Sequence, residues 1–115
     1  MEKYIPLYKI SDTRKKVIKF SFEYIKGYYS IPRGIYLKIQ PMTLNYTTIE
    51  GEEYVTESYQ HGTGYSLLVR PLSRISIKQI KEVGDKLFPE CENIVRLFQE
   101  GKTDEIKQLV TTLTA

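Results

Sequence analysis

His61 is the only histidine of the chain, and it lies within "SYQHGTGYSLLVRPLSR", residues 58 to 74. An imidazole is the one side chain that titrates near neutral pH without help from its surroundings. With Tyr59, Tyr65 and Arg70 close by in sequence, it could form a His–Tyr–Arg set that cleaves RNA by general acid–base chemistry. No hydrolase motif surrounds it, and no second histidine exists to divide the acid and base roles. Gly62 and Gly64 supply the backbone freedom of a turn, so a polar turn residue is expected, with His61 as the only catalytic candidate.

Other chemistry is thinner still. The "HGTG" glycines match neither G-x-G-x-x-G nor G-x-x-x-x-G-K-[ST], and a strand pattern follows them, so no helix N-terminus awaits a phosphate. Cys91, the only cysteine, rules out an internal disulfide and any multi-cysteine metal site. It falls on an apolar stripe between Glu90 and Glu92, the setting of a buried structural thiol rather than a nucleophile. Glu50, Glu52, Glu53 and Glu57 lack the alternating Asp/Asn ligands of a calcium loop and read as a solvated hairpin tip. No metal site and no cofactor is expected.

An aromatic and basic set remains: Arg14, Lys15, Lys16, Lys19, Lys26, Tyr28, Tyr29, Arg33, Tyr36 and Lys38. Rings between cations on a sheet are what single-stranded nucleic acid requires, one to stack bases and the other to follow phosphates. The same amphipathic rings suit protein interfaces, and no RNP-type signature is present. Charge is unevenly distributed. Residues 1–38 hold nine Lys or Arg against three acids, whereas residues 39–69 hold four Glu and no Lys or Arg. Either a basic face opposes an acidic one, or strand neighbours of opposite sign cancel.

The elements that must position these groups follow from periodicity. "KKVIKFSFEYIK" alternates, with Ile18, Phe20, Phe22 and Tyr24 on one face and Lys19, Ser21 and Glu23 on the other. "GIYLKIQP" repeats the pattern and sets Tyr36 and Lys38 together on its polar face. "EYVTESY" reads as an edge strand and "YSLLVRP" as a central one buried on both faces. "SDTR" (residues 11–14), "EGEE" and "HGTG" supply turn chemistry, while Pro6, Pro41 and Pro71 mark strand ends.

After Ser73 the period becomes helical. Ser76 and Gln79 fit a capping box ahead of Ile77, Ile80, Val83 and Leu87. Pro89 ends that helix and opens "PECENIVRLFQEG", which stops at Gly101. Thr103 then caps a last helix bearing Ile106, Leu109, Val110 and Leu113. "GIYLKIQPMT" (34–43) and "GYSLLVRPLS" (64–73) also align without a gap, as two Gly-started, Pro-ended core strands or as a duplicated unit.

The expected fold is α+β in a single domain, residues 1–115. Residues 1–73 form a meander-like antiparallel sheet of about five strands, open or barrel-like, and residues 74–115 form two or three helices on one face. Hydrophobic residues at 41% and charged residues at 27% fit a folded chain and exclude a disordered one. No apolar run approaches the ~20 residues of a membrane helix, and residues 1–10 lack a secretory pattern, so a cytoplasmic location is expected. The expected function is a small non-enzymatic interaction protein of assembly, adaptor or inhibitor type. Its Tyr/Lys sheet face would meet a protein partner or a second copy of the chain. The alternatives are a nucleic-acid-binding module using the basic N-terminal third and a ribonuclease-like enzyme centred on His61.

Overall fold

The computed structural model describes residues 3–4, 16–27, 29–59 and 62–115. Its strands are β1 (Lys3–Tyr4), β2 (Lys16–Ile25), β3 (Gly34–Ile49), β4 (Glu52–Tyr59) and β5 (Tyr65–Pro71). The helices are α1 (Ile77–Leu87), α2 (Cys91–Gln99) and α3 (Thr103–Thr114), with a 3-10 turn at Phe88–Glu90 between the first two. Strands followed by helices give the α+β architecture. Four strands, β2 to β5, make up most of the antiparallel sheet, and the two-residue β1 fringes it beside β2. Among the described residues no ladder joins β1 or β2 to β4 or β5, so the sheet is open and not a barrel. The "SDTR" turn and Pro6 lie outside the described residues.

The organising element is β3. Its 16 residues run straight through Pro41, where the sequence pattern ends a strand. One edge pairs antiparallel with β2, from Gly34 opposite Ile25 to Thr43 opposite Lys16. The other edge is shared in tandem: β4 pairs residues 42–49 and β5 pairs residues 34–39. The gap between those two partners falls opposite Gln40 and Pro41. A proline inside a strand costs a ladder bond only where a neighbour would have accepted it, and here the neighbouring strand is interrupted.

The segments that echo one another in sequence are antiparallel partners: Gly34 of β3 faces Pro71 of β5. A Cβ on Gly34 would lie 2.4 Å from the Arg70 carbonyl oxygen, so the approach of the two backbones requires glycine. A bulge follows, with Ile35 opposite Arg70 and Tyr36 opposite Leu68. It turns Arg70 toward α1, where the guanidinium donates to Gln79 Oε1 at 3.3 Å and lies 3.9 Å from Glu82. β5 is therefore a half-buried strand with β3 as its one ladder partner among the described residues, not the fully buried central strand its apolar composition suggests.

The helices cover the face presented by Ile18, Phe20, Phe22 and Tyr24 of β2 and by Ile35, Leu37 and Ile39 of β3. Phe20 and Phe22 meet edge to face at 5.3 Å, a geometry contributing roughly 1 kcal/mol beyond the area buried. Ile80, Val83 and Leu87 of α1, Cys91, Ile94 and Val95 of α2, and Ile106 and Val110 of α3 complete the core. Ser76 caps α1 by accepting from the Gln79 amide at 3.2 Å. Gln79 spends its own carbonyl on Arg70 instead of closing a reciprocal box. Thr103 is the first residue of α3, and the cap position belongs to Lys102, which makes no side-chain capping bond.

Candidate functional site

Four of the residues singled out by type lie outside the described residues: Arg14, Lys15, Tyr28 and His61. Strand parity does bring Lys19, Tyr36 and Lys38 to the sheet face away from the helices, as the alternation predicts. That face is not bare, however. Val17, Glu23 and Tyr36 are only 5%, 8% and 7% exposed. The Tyr36 ring lines a cleft with Ile25, Ser30 and Pro32, and its hydroxyl donates to the Pro32 carbonyl at 2.6 Å. Burial raises the Tyr36 pKa above its ordinary value. The expectation that Tyr36 stands in solvent is therefore corrected: parity chose its face, and the 30–33 loop then folded over it.

The cations on this face are paired. Lys38 lies 3.5 Å from Glu23, and Lys19 forms an ion pair with Glu57 of β4. Of the two readings of the charge asymmetry, neighbours of opposite sign are what the strands place together here. Arg33 is exposed but occupied, donating from Nε to the Lys26 carbonyl at 2.7 Å and from Nη1 to the Ser73 carbonyl at 3.1 Å. With Leu72 N–H donating to the Arg33 carbonyl, it staples the loop after β2 to the segment after β5. Lys16, Lys26 and Tyr29 are exposed, Lys16 at the start of β2 and the other two in the loop that follows it.

A different feature dominates the surface. Beyond Thr43, where the ladder with β2 ends, β3 continues paired with β4 alone among the described residues. Leu44–Ile49 and Glu52–Glu57 thus form a two-stranded arm, and every residue of β4 is exposed. Six residues per strand span about 20 Å, and the molecule measures 50 Å along its longest axis against 29 and 27 Å across. The arm ends in a two-residue turn with φ +52° at Glu50 and +83° at Gly51, the type I′ geometry that matches strand twist.

The register sorts the arm into two faces. Met42, Leu44 and Tyr46 share one face with Val55, Glu57 and Tyr59, continuous with the Lys19–Lys38 face of the body. Thr43, Asn45 and Thr47 share the other with Tyr54, Thr56 and Ser58. Val55 is 50% exposed and Tyr54 49%, so large side chains stand in solvent on both. The arm carries Glu50, Glu52, Glu53 and Glu57, and residues 39–69 hold no Lys or Arg. Sequence reasoning missed this element because it ended the strand at Pro41. The signal was there: apolar Met42, Leu44 and Tyr46 alternate with polar Thr43, Asn45 and Thr47 beyond the proline.

The Cys91 thiol is buried, and its pKa is pushed up to about 12 by burial first and by the Glu92 charge second. It is a core group. Among the described residues no cluster of three or more His, Cys, Asp or Glu is placed to hold a metal ion. No helix among them is long and apolar enough to cross a membrane. Comparison finds no matching family model, no similar curated protein and no similar solved structure.

Proposed function

We propose that this chain is a non-enzymatic interaction protein whose two-stranded arm and adjoining sheet face dock a protein partner. One observation carries the reading: the arm projects past the helix-covered core and buries little of itself. An isolated two-stranded ribbon is marginal in water, because it lacks the third strand or packed face that ordinarily stabilises a hairpin. A ribbon this exposed gains order when something covers it. Exposed Tyr and Val side chains above an acidic tip are suited to covering by another protein, where aromatic rings supply contact area and charges set orientation.

The face first assigned this role contributes less by itself, since Tyr36 is covered and Lys19 and Lys38 are ion-paired. Those two pairs and that covered ring also leave fewer groups for a stacking platform along single-stranded nucleic acid. The test is to shorten the arm by replacing residues 46–55 with Asn-Gly, which keeps the Asn45–Thr56 pairing and the body. In crosslinking from the native cell, the full chain should retain a defined partner that the shortened chain loses at unchanged melting temperature. Equal retention by both would end the proposal.

A further inference from the structure

The arm's occupant can be narrowed by its edge and its charge. In a two-residue type I′ hairpin the residues flanking the turn, here Ile49 and Glu52, exchange both backbone bonds. Residues of β4 then alternate, with the N–H and C=O groups of Thr56 turned toward β3 and those of Val55 and Glu57 turned outward. No ladder among the described residues uses this outer edge. The eight residues of β4 pair with β3 without a register shift, and every one of them is exposed. Natural edges of this kind are commonly protected by lysine, proline or a bulge. β4 contains none of the three and carries glutamates instead.

Charge decides between the possible occupants. A second copy joining edge to edge would bring eight arm carboxylates together, and Lys19 on each copy already serves its own Glu57. A cationic strand would instead bring opposite charge to an arm that carries four Glu and no Lys or Arg of its own. We infer that the outer edge of β4 accepts an extended basic segment of a partner protein as an added strand, with backbone bonds to Val55 and Glu57. The segment places an apolar side chain beside Val55, a Lys or Arg beside Glu57 and further positive charge toward Glu52 and Glu50 at the tip. Backbone pairing supplies affinity, and alternate side chains supply selection. This rests on the docking role proposed above and adds the mode and the chemistry.

The probe is an acetylated, amidated octapeptide, Lys-Thr-Val-Thr-Lys-Thr-Val-Thr, titrated into the full-length protein while amide hydrogen exchange is followed. Binding should slow exchange at Val55 and Glu57 more than at Tyr54 and Thr56, and should weaken several-fold between low and high salt. Glu52→Lys with Glu50→Lys, both exposed, should weaken binding several-fold without changing the melting temperature. A peptide with Glu in place of Lys should not bind.

Equal binding of the acidic peptide, no protection at Val55 and Glu57, or protection there through self-association without peptide would each overturn the inference. If the peptide fails while the shortened arm still loses its partner, the docking role stands and only the chemistry assigned here falls. If the shortened arm also keeps its partner, both fall.

Discussion

Lys19 of β2 reaches across β3 to the carboxylate of Glu57 on β4, so the pair spans three strands where the arm leaves the body. Both side chains are more than a third exposed, at 35% and 39%, and solvent screens the attraction, which holds its contribution below about 1 kcal/mol. Its effect is local. Lys19→Met should leave the melting temperature within a degree or two, yet speed amide exchange at Thr56 and Ser58 relative to residues of β2. High salt should reproduce that change in the unmodified protein. A global loss of stability on Lys19→Met would show that the pair supports the core rather than the arm's root.

Gly34 offers a sharper test, because its neighbour is backbone and cannot rotate away. The Cβ of Gly34→Ala would meet the Arg70 carbonyl oxygen at 2.4 Å and the Pro71 Cα at 2.9 Å. Relieving the overlap means separating β3 from β5 next to the bulge, at a cost of roughly 2 kcal/mol. Gly62→Ala is the comparison: positive φ at +79° but nothing within 4 Å, so only local backbone strain of about 1 kcal/mol is lost. Chemical denaturation of both variants measures the difference. Gly34→Ala as mild as Gly62→Ala would mean the strands lie farther apart than described.

These two sites also mark what could be read from the chain alone. Alternation identified β2 and the first half of β3 because one face is greasy and the other polar, and that pattern needs no knowledge of partners. Ser76 as a cap and Gly51 at a hairpin turn were legible for the same reason, since their signals are local. What failed was long-range. Pro41 ends a strand only if a neighbour awaits its N–H, and the interruption between β4 and β5 decides that. The apolar run of β5 cannot tell two packed faces from one packed face plus the Leu68–Tyr36 pairing on the reverse. Tyr36 was set on the correct face, but its cover comes from Ser30–Pro32, whose path no periodicity encodes. The same holds for Arg33, whose partners lie 7 and 40 residues away.

Cys91 ties core packing to pH. Its thiol is raised from 9.0 to about 12 by burial and then by Glu92, so the folded chain holds this proton where the unfolded chain releases it. The resulting stability is fully present below pH 9 and is lost as pH rises from there toward about 12. Two results follow at pH 8. Iodoacetamide should label Cys91 only at the rate of unfolding, and added denaturant should accelerate labelling sharply. Rapid labelling of the folded protein would place the thiol outside the core formed by Ile94, Val95 and Ile106.

The turn at the arm's tip allows the ribbon's marginal stability to be adjusted without touching either face. Glu50 holds φ +52°, a left-handed conformation that glutamate adopts reluctantly and asparagine tolerates, and Gly51 already suits the second position. Glu50→Asn should therefore stabilise the hairpin by about 0.5 kcal/mol. Exchange of inward-facing arm amides such as Tyr54 and Thr56 should slow roughly twofold, while amides of Phe20 and Leu37 stay unchanged. Glu50→Gln removes the same charge without favouring the left-handed region, so it separates turn geometry from electrostatics. If Gln slows exchange as much as Asn, relief of repulsion among the tip carboxylates governs the arm, and backbone strain at Glu50 does not.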